Sequence, residues 1–132
     1  MLHYMLDTDI CVYVMKNYPP KLRERFNRLV EQLCISSISL CELHFRAEKS
    51  TRRLESAEAV EQFVARLEIL PFPAQAAVHY GQMRAEVERQ GQPIGSYDLL
   101  IAAHARAEGL TVVTNNVREF RRLPGVRVEN WH

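Results

Sequence analysis

Two aspartates, Asp7 and Asp9, stand two residues apart inside the apolar run "YMLDTDICVY", where an unneutralised carboxylate is expensive to hide. Aspartate is otherwise scarce: the chain has three, Asp7, Asp9 and Asp98, against 13 glutamates spread along amphipathic stretches. Asp98 interrupts a second apolar run, "YDLLIAAHA", and Glu42 a third, "ISLCELHF". Taken alone, each acid has an ordinary structural reading. Asp98 falls in the first turn of an expected helix and complements its dipole. Glu42 stands at the edge of an apolar face shared with Ile38, Cys41, Leu43 and Phe45, from which its carboxylate bends toward water. Asp7 caps a helix or anchors a turn. Taken together the three are harder to dismiss, because each lies at or near the start of an expected helix on elements that one sheet can gather. Like charges in one pocket repel, and they persist where a hard cation neutralises them. Mg²⁺ or Mn²⁺ suits such a set of carboxylate oxygens and waters, and leaves room for a phosphate. The histidines, His3, His44, His79, His104 and His132, show no i,i+4 pairing, so the pattern does not point to zinc.

The elements that must position these acids alternate between strand and helix. Residues 3–6 read as a strand, and a short helix follows over 9–15. Pro19-Pro20 then break the chain before a charged helix that runs to about Gln32. "LCIS" at 33–36 is a second apolar strand, after which Ser37 is placed to cap the helix that carries Glu42. An amphipathic helix covers 54–66, and "LEIL" at 67–70 is a strand ended by "PFP". Residues 73–90 have helical spacing, with Ala74, Ala77, Val78, Gly81 and Ala85 as the apolar side, and "GQPIG" stops them. Ser96 is placed to cap the helix that carries Asp98, which Gly109 closes. "LTVVT" and "VRVENW" read as the last strands. Strands separated by whole helices imply crossover connections, hence an α/β fold with a mostly parallel central sheet flanked by helices. Ligands in such sheets bind beyond the carboxyl ends of the strands. Asp7 follows the first strand, and Asn115 and Asn116 follow "TVVT".

Length and composition narrow the setting. A chain of 132 residues fits one ordinary domain, 1–132, able to bury a core without staples. Cys11, Cys34 and Cys41 are odd in number, lack C-x-x-C spacing and lie in apolar surroundings, so they read as small buried hydrophobes. That pattern suggests a reducing, cytoplasmic compartment. No apolar stretch approaches the roughly 18 residues of a membrane span, and the N-terminus lacks the order of a signal peptide. The net charge is +1, yet of 17 basic residues only Lys16, Lys21 and Lys49 are lysine. The arginines that make up the rest favour planar contact with phosphate or carboxylate.

With "MLDTDI", "ISSISLCELHFRAEKS", "IGSYDLLIAAHA" and "VVTNNVREF" in that order, nearly the whole chain resembles the PIN-domain family, and most closely the VapC toxins. Those are the ribonuclease halves of bacterial type II toxin–antitoxin pairs. The resemblance implies a PIN-like three-layer sandwich whose acidic pocket binds Mg²⁺ or Mn²⁺ and cuts single-stranded or looped RNA by metal-assisted hydrolysis. Asp7, Glu42 and Asp98 fall on the family's acidic, metal-holding positions, and the Thr114 hydroxyl would support the pocket beside Asn115. The resemblance further implies tRNA as substrate, including the anticodon loop of initiator tRNA. It also implies a cognate VapB-type antitoxin, a homodimer and a toxin–antitoxin hetero-oligomer, with no membrane partner.

Two positions depart from the family pattern. Asn116 stands where many members place a fourth acid; Glu119, three residues on and on the same face if "VREF" is helical, would supply that charge and leave Asn116 to hydrogen-bond a water. Asp9 stands where asparagine or serine is more common, and either holds a second cation or caps the helix it begins. Setting aside Asp7, Asp9, Glu42, Asp98 and Glu119 leaves 11 acids against 17 bases, which suits a polyanion. Candidate phosphate contacts are Lys16, Lys21, Arg23, Arg25 and Arg28, then Arg84, Arg89 and Gln92, although solvated helix faces have the same composition. Two rivals stay open. "DTD" after a strand and "VVTN" resemble motifs of haloacid-dehalogenase-like phosphatases, but no lysine or aspartate follows Asn116 to complete that chemistry. The other rival is a binding module that keeps the fold and has lost catalysis, motivated by Asn116.

Overall fold

The computed structural model describes residues 1–131. Five short strands, β1 (Tyr4–Leu6), β2 (Leu33–Ser36), β3 (Glu68–Leu70), β4 (Thr111–Val113) and β5 (Arg127–Glu129), form one sheet among the described residues. Their order is β3-β2-β1-β4-β5 and every neighbouring pair is parallel. Around them lie α1 (Thr8–Met15), α2 (Pro20–Leu29), α3 (Ser37–Glu48), α4 (Arg53–Val64), α5 (Ala74–Arg89), α6 (Ser96–Glu108) and α7 (Val117–Arg121). The charged segment after Pro20 is α2 followed by a single 3-10 turn over Val30–Gln32.

Side-chain alternation along the strands explains the layers. Met5 pairs in register with Cys34 and Val112, and all three face a core that also holds Met83, Val87, Leu99, Ala102 and Phe120. Leu6, Ile35 and Val113 face the opposite core, with Ile10, Phe26, Leu43 and Phe63. Both faces of the sheet are buried, which is why its strands read as continuous apolar runs. The expected three-layer α/β arrangement is therefore present, and parallel pairing puts the carboxyl ends of all five strands on one edge.

Four local expectations are corrected. Ser36, the last residue of β2, caps α3 by accepting from the Ile38 N–H at 3.0 Å. Ser37 Oγ instead accepts from the Phe72 N–H at 3.1 Å and ties α3 to the segment after β3. At α6 the capping position is Gly95, with no side-chain bond, and Ser96 is the first helical residue. Helix α5 buries Ala76, Met83 and Val87, with Tyr80 half-buried, and exposes Ala74, Ala77, Val78, Gly81 and Ala85. Burial gain scales with apolar area, so the stripe with the larger side chains turns inward. Cys11 and Cys34 are buried thiols, whereas Cys41 is exposed, and burial pushes the Cys34 thiol up to about 12. Among the described residues no helix is long and apolar enough to cross a membrane.

Candidate active site

Asp7 is the residue that leaves β1 and enters α1. Its Oδ1 accepts from the Ile10 N–H at 2.9 Å, which makes it the N-cap of α1, and its Oδ2 accepts from the Thr114 hydroxyl. Thr114 follows β4, the strand beside β1, and its Oγ1 accepts in turn from the Asn116 N–H at 2.9 Å. Asp7 is 3% exposed. Burial pushes it up to about 7, assisted by the charges of Asp9 and Asp98 and opposed by its bonds to Thr114 and Ile10. Asp9, in the first turn of α1, is exposed and does not cap the helix, because Asp7 does.

Asp98 lies in the first turn of α6, half-buried. Burial pushes its carboxyl up to about 6, followed in effect by the charges of Glu42, Asp9 and Glu119. Glu42 lies on α3, which packs against both α1 and α6. The Thr8 hydroxyl donates to Glu42 Oε1 at 2.5 Å and stands 3.2 Å from Ser39 Oγ. Thr8 thereby joins the candidate acids, and its place between the two aspartates of "DTD" is the one signal of this in the sequence. The apolar face ascribed to Glu42 is divided: Leu43 is buried, while Cys41 and Phe45 are exposed.

Glu119 lies on α7, half-buried, and Arg122 donates to it at 3.0 Å. Asn116 is exposed at the start of α7 and its side chain caps nothing. Asn115 Oδ1 is buried without a hydrogen-bond partner.

The fold thus brings Asp7 within electrostatic reach of Asp9 and Asp98, and Asp98 within reach of Glu42, Asp9 and Glu119, and it holds Asp7 and Asp98 above the usual carboxylate range. Among the described residues no three histidine, cysteine, aspartate or glutamate side chains close tightly enough to cage an ion by themselves. Mg²⁺ does not require such a cage, since it keeps several waters and takes one or two carboxylates together with a substrate phosphate. The donors here are all oxygen, and a cation would offset both the burial that chiefly raises Asp7 and Asp98 and the neighbouring charges that add to it. The residues therefore fit a hard divalent ion.

The basic candidates are not gathered here. Arg25 pairs with Glu129 at 3.2 Å and lies over the Trp131 ring, Arg84 pairs with Glu88 at 2.9 Å, and Arg89 with Glu86 at 2.9 Å. The Gln92 carbonyl accepts from Arg122. Lys16 lines an apolar groove with Val12, Met15, Leu43 and Val60, and Arg23 a neighbouring one with Phe63 and Arg66. Lys21 and Arg28 are exposed on α2.

A parallel five-stranded sheet with acids converging beyond its carboxyl edge defines the class: this chain belongs to the PIN domain family, whose pattern matches residues 4–126. Within that family it is 53% identical over 131 residues, 99% of each chain, to the tRNA(fMet)-specific endonuclease VapC of Salmonella typhimurium. It is 47% identical over 131 residues, again 99% of each, to Ribonuclease VapC2 of Haemophilus influenzae. Its backbone matches a chain in the crystal structure of DNA-bound VapBC from Salmonella typhimurium with a TM-score of 0.96, at 52% identity and over 100% of both chains.

Proposed function

We propose that this chain is a VapC-type endoribonuclease toxin that hydrolyses a phosphodiester bond of tRNA with the help of Mg²⁺ or Mn²⁺. The observation that carries the reading is the set of mutually repelling, partly buried carboxylates at the carboxyl edge of the sheet, led by Asp7. Full-length similarity to a tRNA(fMet)-specific endonuclease supports the substrate class and makes initiator tRNA the first to test.

Asp7, Glu42 and Asp98 would hold the cation, with Glu119 adding negative charge from α7. When bound, the cation neutralises phosphate charge and lowers the pKa of an attacking water. Thr114 and the Ile10 N–H fix the orientation of Asp7, and Thr8 does the same for Glu42. Asp7, raised to about 7 chiefly by burial, would be held as the carboxylate by a cation beside it. Asn116, exposed beside Thr114, would hydrogen-bond water or RNA, Asn115 would support the pocket, and Asp9 would add charge at the rim.

The same reading makes residues 1–132 one nuclease domain acting in the cytoplasm. It is restrained by a cognate VapB-type antitoxin and assembles as a homodimer and as a toxin–antitoxin hetero-oligomer. The VapBC complexes among structural relatives support the antitoxin. Purified protein incubated with total tRNA tests the activity: cleavage with Mg²⁺, none with excess chelator and none from Asp98→Asn are expected. Undiminished cleavage in chelator would rule the mechanism out.

A further inference from the structure

Beside Glu42 lies an open cleft of about 310 Å³ lined by Cys41, Glu42, Phe45, Arg46, Lys49 and Tyr97. Its two aromatic rings are anomalies of the surface. Phe45 is 64% exposed and Tyr97 56%, and among the described residues the only other aromatic so exposed is Tyr18. Both stand next to the acids. Phe45 lies three residues after Glu42, hence one turn along the same side of α3, and Tyr97 directly precedes Asp98 on α6. Lys49, one further turn along α3, holds its ammonium over the Phe45 ring at 5.0 Å from the centroid.

We propose that this cleft is a stacking subsite for one unpaired nucleobase next to the cleaved phosphodiester, with Phe45 and Tyr97 as its walls and Lys49 and Arg46 as contacts to the adjoining phosphate. The proposal rests on the nuclease reading above and deepens it. An exposed ring of this size gains by covering, and every base presents a π-face, so stacking binds single-stranded nucleic acid with little sequence preference. The volume suits one planar base better than a helix face, and the two cations supply what an RNA backbone needs beside acids that would otherwise repel it. Because the rings ride on the helices that carry Glu42 and Asp98, a base held there fixes the position of its own phosphate relative to those acids. Phe45 and Tyr97 are positioning residues, and neither takes part in proton or phosphoryl transfer.

The test uses full-length protein freed from its antitoxin and a fluorescent twelve-nucleotide single-stranded oligoribonucleotide, with affinity read by anisotropy and cleavage by gel. Phe45→Ala and Tyr97→Ala should each weaken binding by between about five- and a hundred-fold, the range expected for one stacked base. Melting temperature should stay unchanged, and Phe45→Trp should restore binding. Leu54→Ala, at an exposed apolar residue away from the cleft, should bind as wild type does. Unaltered binding by both aromatic variants overturns the proposal. So does loss of antitoxin co-purification with RNA binding intact, which would assign the cleft to the partner protein. A wild type that binds through Phe45 and Tyr97 yet never cleaves defeats the nuclease reading and leaves the subsite standing; one that neither binds nor cleaves defeats both.

Discussion

Asp7 meets two demands with one side chain. It caps α1 through Oδ1 and, through Oδ2, accepts from the Thr114 hydroxyl in buried surroundings where charge is penalised. Because its folded pKa is raised from 3.8 to about 7, its contribution to stability is fully present below about pH 4 and is lost as pH rises through about 7. Asp7→Asn keeps the cap, since asparagine serves there about as well, and removes the titration. In metal-free buffer the variant should come nearest to wild type at about pH 4 and exceed it most at pH 8, by more than about 1 kcal/mol, given about 1.4 kcal/mol per pKa unit. Cleavage should be abolished. Melting curves at the two pH values check the sign, and an active variant would remove Asp7 from the mechanism. A second comparison concerns the fourth charge. Glu119 acts on Asp98 while Asn116 stays exposed, so Glu119→Gln should reduce metal affinity and cleavage more than Asn116→Ala. Equal effects would return that role to Asn116. The acids were legible because carboxylates inside apolar runs need a reason. Thr8 was not, because a hydroxyl in a helical first turn has many ordinary uses and only the approach of α3 gives it Glu42 as a partner.

At the scale of elements, the sequence was most readable where one signal had a single solution. "LCIS" is β2 to the residue, and Gly109 closes α6 with φ of 71°, a left-handed conformation that costs other residues free energy. Nothing crowds that position, so Gly109→Ala should destabilise by backbone strain alone, about 1 kcal/mol in a denaturant titration. Cleavage should stay at the wild-type rate where the protein is folded. Errors arose where neighbours compete for one job. Ser36 and Ser37 both precede α3, and which one caps depends on where β2 ends against β1 and β3, a tertiary matter. On α5 two stripes share the helical period, and counting apolar residues favoured the alanine stripe, whereas Met83 and Val87 offer more area to bury. Phe45 went astray for a related reason: "ISLCELHF" reads as one apolar face, but α3 rests on Leu43 and Ala47 and leaves Phe45 outside.

Across the whole molecule, the sheet order places β1 at the centre, with β2 and β4 on either side, so the segments leaving these three strands meet at one edge. The cores on both faces hold those strands in place, and Asp7, buried at the end of β1, keeps its position beside Thr114. Folding of the metal-free protein works against the burial and mutual repulsion of the acids, a cost that the proposed cation would relieve. Because Asp7 and Asp98 are raised to about 7 and about 6, a cation held by them as proposed would expel their protons, and its apparent affinity would rise with pH. Mn²⁺ at a hundred-fold excess over its Kd should stabilise the protein by about 2.7 kcal/mol. For a chain of 132 residues, that is roughly 8 °C in Tm. At a fixed Mn²⁺ concentration the shift should be small at pH 5 and grow through pH 8, and Asp7→Asn should show little of it at either. Differential scanning fluorimetry on the two proteins, with and without Mn²⁺, reads all four conditions. A Mn²⁺ shift that is equal at both pH values, or equal in the variant, would mean that the ion binds elsewhere and that the acids at the sheet edge do not hold it.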